Sequence, residues 1–111
     1  MSVITREELQ RAMAEGDVVV LEALPQSYYE SEHLPGAKNL PLDDIDTRAA
    51  ELVPDLSMPI VTYCTGRTCP NSGIAAARLR ELGYTNVRAY EAGKEEWLGA
   101  GLPVERSHPV A

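Results

Sequence analysis

Two short apolar runs constrain this chain more than anything else in it. Val18-Val19-Val20-Leu21 and Ile60-Val61-Thr62-Tyr63, the second entered through Pro59, are β-branched and lack the polar alternation of a half-exposed strand. Runs of this length and composition read as strands buried on both faces, the kind found inside parallel sheets. Val87-Arg88-Ala89-Tyr90 is a third strand, and Lys38-Asn39-Leu40 a very short one stopped by Pro41. Helical segments separate them. Thr5-Arg6-Glu7-Glu8 has the form of a capping box, and with Gly16 closing the segment it predicts a helix over about 6–14. Residues 25–30 read as loop or a single helical turn, and Leu34-Pro35-Gly36-Ala37 as a turn. Asp43 or Asp44 caps a helix running to about Leu52, ended by Pro54. Another runs from about Pro70 to a C-terminal cap at Gly83, and after an Ala92-Gly93 turn a last short one covers 94–100. Strand and helix alternate throughout. The pattern predicts an α/β fold, a mainly parallel central sheet with helices on both faces.

With 111 residues there is room for one domain, 1–111, in which 104–111 is expected to be a loosely held tail. The formal charge of -7 argues against nucleic acid or an anionic membrane as partner. It leaves open a small anion held by a local group of N–H donors. No apolar run approaches the roughly 20 residues that span a bilayer. The sequence turns acidic at Glu7-Glu8 before any apolar stretch forms, so no secretory signal and a cytoplasmic location are expected. Two cysteines, Cys64 and Cys69, are too few for a disulfide framework, and no neighbouring His completes a zinc site.

The chemistry concentrates in Tyr63-Cys64-Thr65-Gly66-Arg67-Thr68-Cys69-Pro70-Asn71-Ser72. Open α/β sheets bind ligands at the carboxyl ends of their strands, and Cys64 is the first residue past such an end. Thr65, Gly66, Arg67, Thr68 and Cys69 are mostly small or polar, so their N–H groups can turn inward as an anion-binding nest. The helix that follows points its partial positive charge back at the loop, and Arg67 adds a full one. All of this favours a thiolate at Cys64, the nucleophilic form. The expected geometry is Cys64 at the bottom of a shallow pocket formed by residues 65–70. The bland alternative is a small buried hydrophobe ending a strand. Cys69 reads equally as a buried spectator or as a resolving thiol: five residues in a curled loop can bring the two sulfurs together, while Pro70 directly after Cys69 works to hold them apart.

The chain resembles the single-domain members of the rhodanese family. Glu22 and Glu32-His33-Leu34-Pro35-Gly36-Ala37, followed by Asn39-Leu40-Pro41, stand at the spacing of the family's first signature, with Tyr29 where it has an aromatic. Ala76, Leu79 and Leu82-Gly83-Tyr84 match its helix end. Val87, Ala92-Gly93, Trp97 and Ala100-Gly101-Leu102-Pro103-Val104 match its closing signature. The resemblance implies sulfur transfer. Cys64 would take the outer sulfur of a donor such as thiosulfate as a persulfide and pass it to cyanide or a thiol. No metal or organic cofactor is implied, and substrate binding falls to Thr65, Gly66, Arg67, Thr68 and Cys69.

The departures from the pattern are specific. Asn71 stands where the family has Arg, Ser72 holds the Ser position, and Gly83 lies two positions farther from Cys64 than usual. Arg67 is the available substitute for the missing Arg. Leu24 also replaces a common Arg, which predicts loss of an ion pair. Three other readings stay open: oxyanion chemistry of the phosphatase or arsenate-reductase kind, a binding or regulatory module, and thiol–disulfide exchange through Cys64 and Cys69. An oxyanion enzyme wants a bidentate Arg at the loop end, which Asn71 does not supply. The resemblance implies that His33 is a structural residue bonded to nearby backbone, with a proton shuttle as the alternative its near-neutral titration offers. His108 is expected in solvent, Trp97 and Tyr84 in the core, and Asp43-Asp44-Asp46 at a helix start.

Overall fold

The computed structural model describes residues 3–106, and His108 lies outside them. Four strands form one sheet: β1 (Val19–Glu22), β2 (Lys38–Asn39), β3 (Ile60–Tyr63) and β4 (Val87–Tyr90), in the order β2-β1-β3-β4. Every pairing is parallel, with Val20 opposite Val61 and Ile60 opposite Val87. Five helices connect and cover them: α1 (Arg6–Glu15), α2 (Gln26–Ser31), α3 (Ile45–Leu52), α4 (Asn71–Glu81) and α5 (Gly93–Gly99).

Side chains alternate across a strand, so each central strand feeds two separate cores. Leu21, Ile60 and Ala89 pack on one face with Ala49 of α3 and Ala75, Ala76 and Leu79 of α4. Val20, Val61 and Tyr90 pack on the other with Leu9 of α1 and Trp97 of α5. With helices on both faces, the centre of the sheet is dry, and continuous apolar runs are what such strands require.

Local chemistry sets the element ends. Thr5 and Glu8 exchange the two capping-box bonds, Glu8 N–H to Thr5 Oγ1 at 3.2 Å and Thr5 N–H to Glu8 Oε1 at 3.0 Å. Those bonds hold the Glu8 carboxyl below its ordinary pKa. Neither Asp43 nor Asp44 caps α3 with its side chain; a single 3-10 turn at Leu42–Asp44 precedes the helix instead. Gly93, expected in a turn, is the first residue of α5. Past α5, Glu105 and His33 exchange backbone hydrogen bonds of 2.9 Å in both directions, so this part of the 104–111 stretch is tied to the loop before β2.

His33 is 3% exposed and fully engaged. Its Nδ1–H donates to Tyr29 O at 2.7 Å, its ring stacks on Tyr29 at 3.9 Å, and Nε2 faces the Glu105 carboxylate at 3.7 Å. These contacts describe a structural histidine.

Arg78 of α4 clamps Asp46 of α3 with bonds of 2.7 and 2.6 Å, which hold the Asp46 carboxyl below the usual carboxylate range. A pKa lower in the folded than in the unfolded chain gives stability that is full above the unfolded value and lost as pH falls through the folded one. Asp46→Asn should therefore be less stable than the parent at neutral pH, with the difference shrinking below about pH 4. Urea denaturation across that range measures it. A difference that grows in acid would contradict the assignment.

Candidate functional site

Cys64 follows the last residue of β3 at the carboxyl edge of the sheet, and it is 1% exposed. Its sulfur is joined to that of Cys69 by a disulfide, with the two Cα atoms 6.3 Å apart. The expectation of a free thiol at the bottom of a pocket is corrected on this point. Among the described residues, Cys64 lines none of the clefts identified around the loop. Pro70 does not keep the sulfurs apart either. Cys69 N–H donates to Gly66 O at 3.1 Å, closing a turn that folds Cys69 back over Cys64 before Pro70 is reached.

Gly66 and Cys69 are thus tied to each other within the loop. The N–H groups of Thr65, Gly66, Arg67 and Thr68 have no acceptor among the described residues. Thr65 is half-buried with its Oγ1 at 3.8 Å from Cys64 Sγ, Gly66 is buried, and Arg67 and Thr68 are exposed. Arg67 makes no ion pair with a described residue. It shares a cleft of about 250 Å³ with Cys69, Pro70, Ser72, Gly73 and Glu91, so its charge, the α4 N-terminus and the outer cysteine face one space.

The floor of the loop is α5. Lys94 N–H donates to Cys64 O at 3.0 Å and Glu95 N–H to Thr65 O at 2.7 Å. Gly93 makes this approach possible: its φ is +68°, and a Cβ there would lie 2.7 Å from Cys64 O and 2.8 Å from Gly66 N. An L side chain is excluded twice, by the left-handed backbone and by the contact.

Beside the loop lies a buried polar cluster that the sequence reading missed. Glu22, fully buried at the end of β1, accepts from Tyr63 Oη–H at 2.7 Å and pairs with Lys94 Nζ at 2.9 Å. Lys94 also donates to Tyr28 O at 3.2 Å, and Tyr63 Oη accepts from Leu34 N–H at 3.1 Å. Burial, and then the negative charge of Glu22, push the Tyr63 phenol up, so it stays protonated and donating. Leu24 was expected to remove an ion pair, yet the site holds a buried one of its own, between Glu22 and Lys94 of α5. The available signal was the position of Lys94, a lone cation directly after the Ala92-Gly93 pair. Lys94 and Thr65 also line a cleft of about 290 Å³ with Tyr28, Ser31 and Glu32, on another side of the loop.

Asn71 has a structural partner. Its Nδ2–H donates to Ala23 O at 2.9 Å, pinning the start of α4 to the end of β1. An amide in that bond brings no cation to the loop, which leaves the bidentate oxyanion geometry of a phosphatase-like site without its Arg.

Residues 5–100 match the family model described as a rhodanese-like domain. The chain is 38% identical over 107 residues to the HTH-type transcriptional regulator Rv0324 of Mycobacterium tuberculosis, covering 96% of this chain and 46% of that protein. It is 43% identical over 60 residues to the thiosulfate sulfurtransferase PspE of Escherichia coli, covering 53% of this chain and 55% of that one. It therefore spans about half the length of these two curated relatives. The crystal structure of a thiosulfate sulfurtransferase from Pseudomonas aeruginosa superimposes with a TM-score of 0.85 at 27% identity, covering 96% of this chain and 20% of that one. Among the described residues, no helix is long and apolar enough to cross a membrane.

The buried cluster yields a prediction about stability. Removing one partner strands the other as an uncompensated buried charge, so Lys94→Met should cost about 3–5 kcal/mol. Adding Glu22→Gln to Lys94→Met should recover a large part of that loss, because the stranded carboxylate goes with it. Chemical denaturation of both variants checks the pair. A double variant much less stable than the single one would show that the two residues act independently.

Proposed function

The chain belongs to the rhodanese-like domain family, and from that premise we propose that it is a sulfurtransferase that carries sulfane sulfur as a persulfide on Cys64. The observation that carries the reading is the loop itself. A cysteine follows the carboxyl end of a central parallel strand, in a loop where the N–H groups of residues 65–68 have no acceptor among the described residues and Arg67, which makes no ion pair with a described residue, shares a cleft with Cys69.

With the disulfide reduced, the Cys64 thiolate attacks the outer sulfur of thiosulfate. The new bond joins the two sulfurs, the donor's sulfur–sulfur bond breaks, and sulfite leaves with the electron pair. Backbone donors suit this step, since they stabilise anionic sulfur and sulfonate oxygens without a proton transfer. Arg67 serves as the counter-charge for the dianion. Cyanide or a small thiolate then attacks the outer sulfur; the bond from that sulfur to Cys64 Sγ breaks, thiocyanate or a new persulfide is released, and Cys64 leaves as the thiolate. The location that suits this chemistry is the cytoplasm, where the thiol pool would keep Cys64 and Cys69 reduced.

The likeness, over 96% of this chain and 46% of the relative, to a protein named as a transcriptional regulator favours a second reading, in which the same domain serves as a regulatory module responding to sulfur or redox state. The two readings part on turnover. Reduced protein given thiosulfate briefly should gain one sulfur atom on the peptide containing Cys64 by mass spectrometry, and then form thiocyanate repeatedly when cyanide is supplied. Cys64→Ser should abolish both. Gain of a sulfur without turnover would favour the module, and the absence of both a gained sulfur and any release of sulfite would overturn the sulfur-transfer reading.

Arg67→Ala should raise the KM for thiosulfate. A hydrogen bond to a charged group is worth about 1.5–3 kcal/mol, so the loss should be about tenfold to a hundredfold. A neutral persulfide donor should be affected far less. Unchanged thiosulfate kinetics would leave anion binding to the backbone donors alone.

A further inference from the structure

Building on the sulfur-transfer reading, we propose that Cys69 is a resolving cysteine, giving this site a further activity: reduction of sulfane sulfur to hydrosulfide at the expense of a dithiol. The Cys64–Cys69 disulfide is the product such a step would leave. Its Cα separation of 6.3 Å falls within the ordinary range for a disulfide, so the loop holds the bond without unusual backbone spacing. The turn that brings the sulfurs together is closed by the backbone bond from Cys69 N–H to Gly66 O, which does not depend on either sulfur. Cys69 is therefore presented to Cys64 by the main chain.

The step balances as follows. The sulfur of Cys69 attacks Sγ of the Cys64 persulfide. A Cys64–Cys69 bond forms, the bond from Cys64 Sγ to the outer sulfur breaks, and that sulfur leaves with the electron pair. The proton of the Cys69 thiol goes to the departing sulfide, giving hydrosulfide. The outer sulfur is reduced by two electrons and the two cysteines are oxidised to the disulfide. A dithiol reductant, either a small dithiol or a dithiol protein, then reopens it and is itself oxidised to a disulfide. Over one cycle thiosulfate and a dithiol become sulfite, hydrosulfide, a disulfide and a proton.

Exposure fixes the order of reduction. Cys64 is 1% exposed, whereas Cys69 is only partly buried and lines the Arg67 cleft. An incoming thiolate meets Cys69 first and forms its mixed disulfide there, so Cys64 is the leaving thiolate. The cycle thus returns the nucleophile at the base of the loop, ready for the next donor. A purely structural disulfide would need no such asymmetry.

The test uses the reduced full chain, with oxygen and external thiols excluded, and thiosulfate labelled in its outer sulfur. The parent should release labelled hydrosulfide in proportion to the chains present and finish as the Cys64–Cys69 disulfide, retaining no label. Cys69→Ser should keep the label on the Cys64 peptide and lose hydrosulfide release until a thiol is added; Cys69→Ala serves if the serine variant does not fold by circular dichroism. A parent that keeps its label as a stable persulfide, releasing no more hydrosulfide than the Cys69 variant, would overturn the resolving role while leaving sulfur transfer intact. If neither chain takes up label, the sulfur-transfer reading falls and the resolving step with it.

Discussion

At the first residue of α5 there is no room for a side chain. A Cβ on Gly93 would press on Cys64 O and Gly66 N, and the backbone there is left-handed, so only glycine lets the helix end meet the loop. That approach gives the carbonyls of Cys64 and Thr65 their donors, Lys94 N–H and Glu95 N–H. With its carbonyls turned down onto α5, the loop keeps the N–H groups of residues 65–68 out of internal pairing. The carbonyls of Cys64 and Thr65 are thus satisfied from α5, while the N–H groups of residues 65–68 have no acceptor among the described residues. The geometry of the loop follows from a single glycine on another element.

The same helix end brings Lys94 to Glu22. A carboxylate buried at the end of a central strand would be costly alone, and Lys94 and Tyr63 together make it tolerable, although Glu22 Oε2 is left without a partner among the described residues. The cluster joins β1, β3, α5 and the backbone of α2 and of the segment before β2, since Tyr28 O and Leu34 N–H complete it. Its geometry is directional where an apolar contact would not be. Both the floor of the loop and the end of the strand carrying Cys64 are thereby registered to the rest of the sheet.

What was legible in the sequence was what is local. The apolar runs named the buried strands, Thr5 and Glu8 named the first helix start, and the strand–Cys–helix order named the loop. The resemblance made His33 readable as structural, and the structure gives it a local partner, Tyr29, one helical turn away. Contacts between distant segments were not readable. Leu24 suggested a lost ion pair, yet the site holds a buried one through Lys94, 70 positions farther along. Asn71 looked like a weakened Arg and is instead a tether to Ala23. Gly93 looked like a turn glycine, and its real constraint is a backbone met from elsewhere in the chain. The disulfide was obscured by Pro70, whose stiffness acts only after the Gly66–Cys69 turn has already closed.

The central claim is that the backbone around Cys64 is held by α5 and by its own turn, so that the disulfide, the free thiol and the persulfide occupy one unchanged loop. A crystal structure of the reduced Cys69→Ser chain after exposure to thiosulfate tests this most directly. The account predicts an added sulfur on Cys64 Sγ with the backbone bonds from residue 69 to Gly66 and from Lys94 to Cys64 intact. No added sulfur on Cys64, or a loop that has left α5 with no disulfide to hold it, would contradict it.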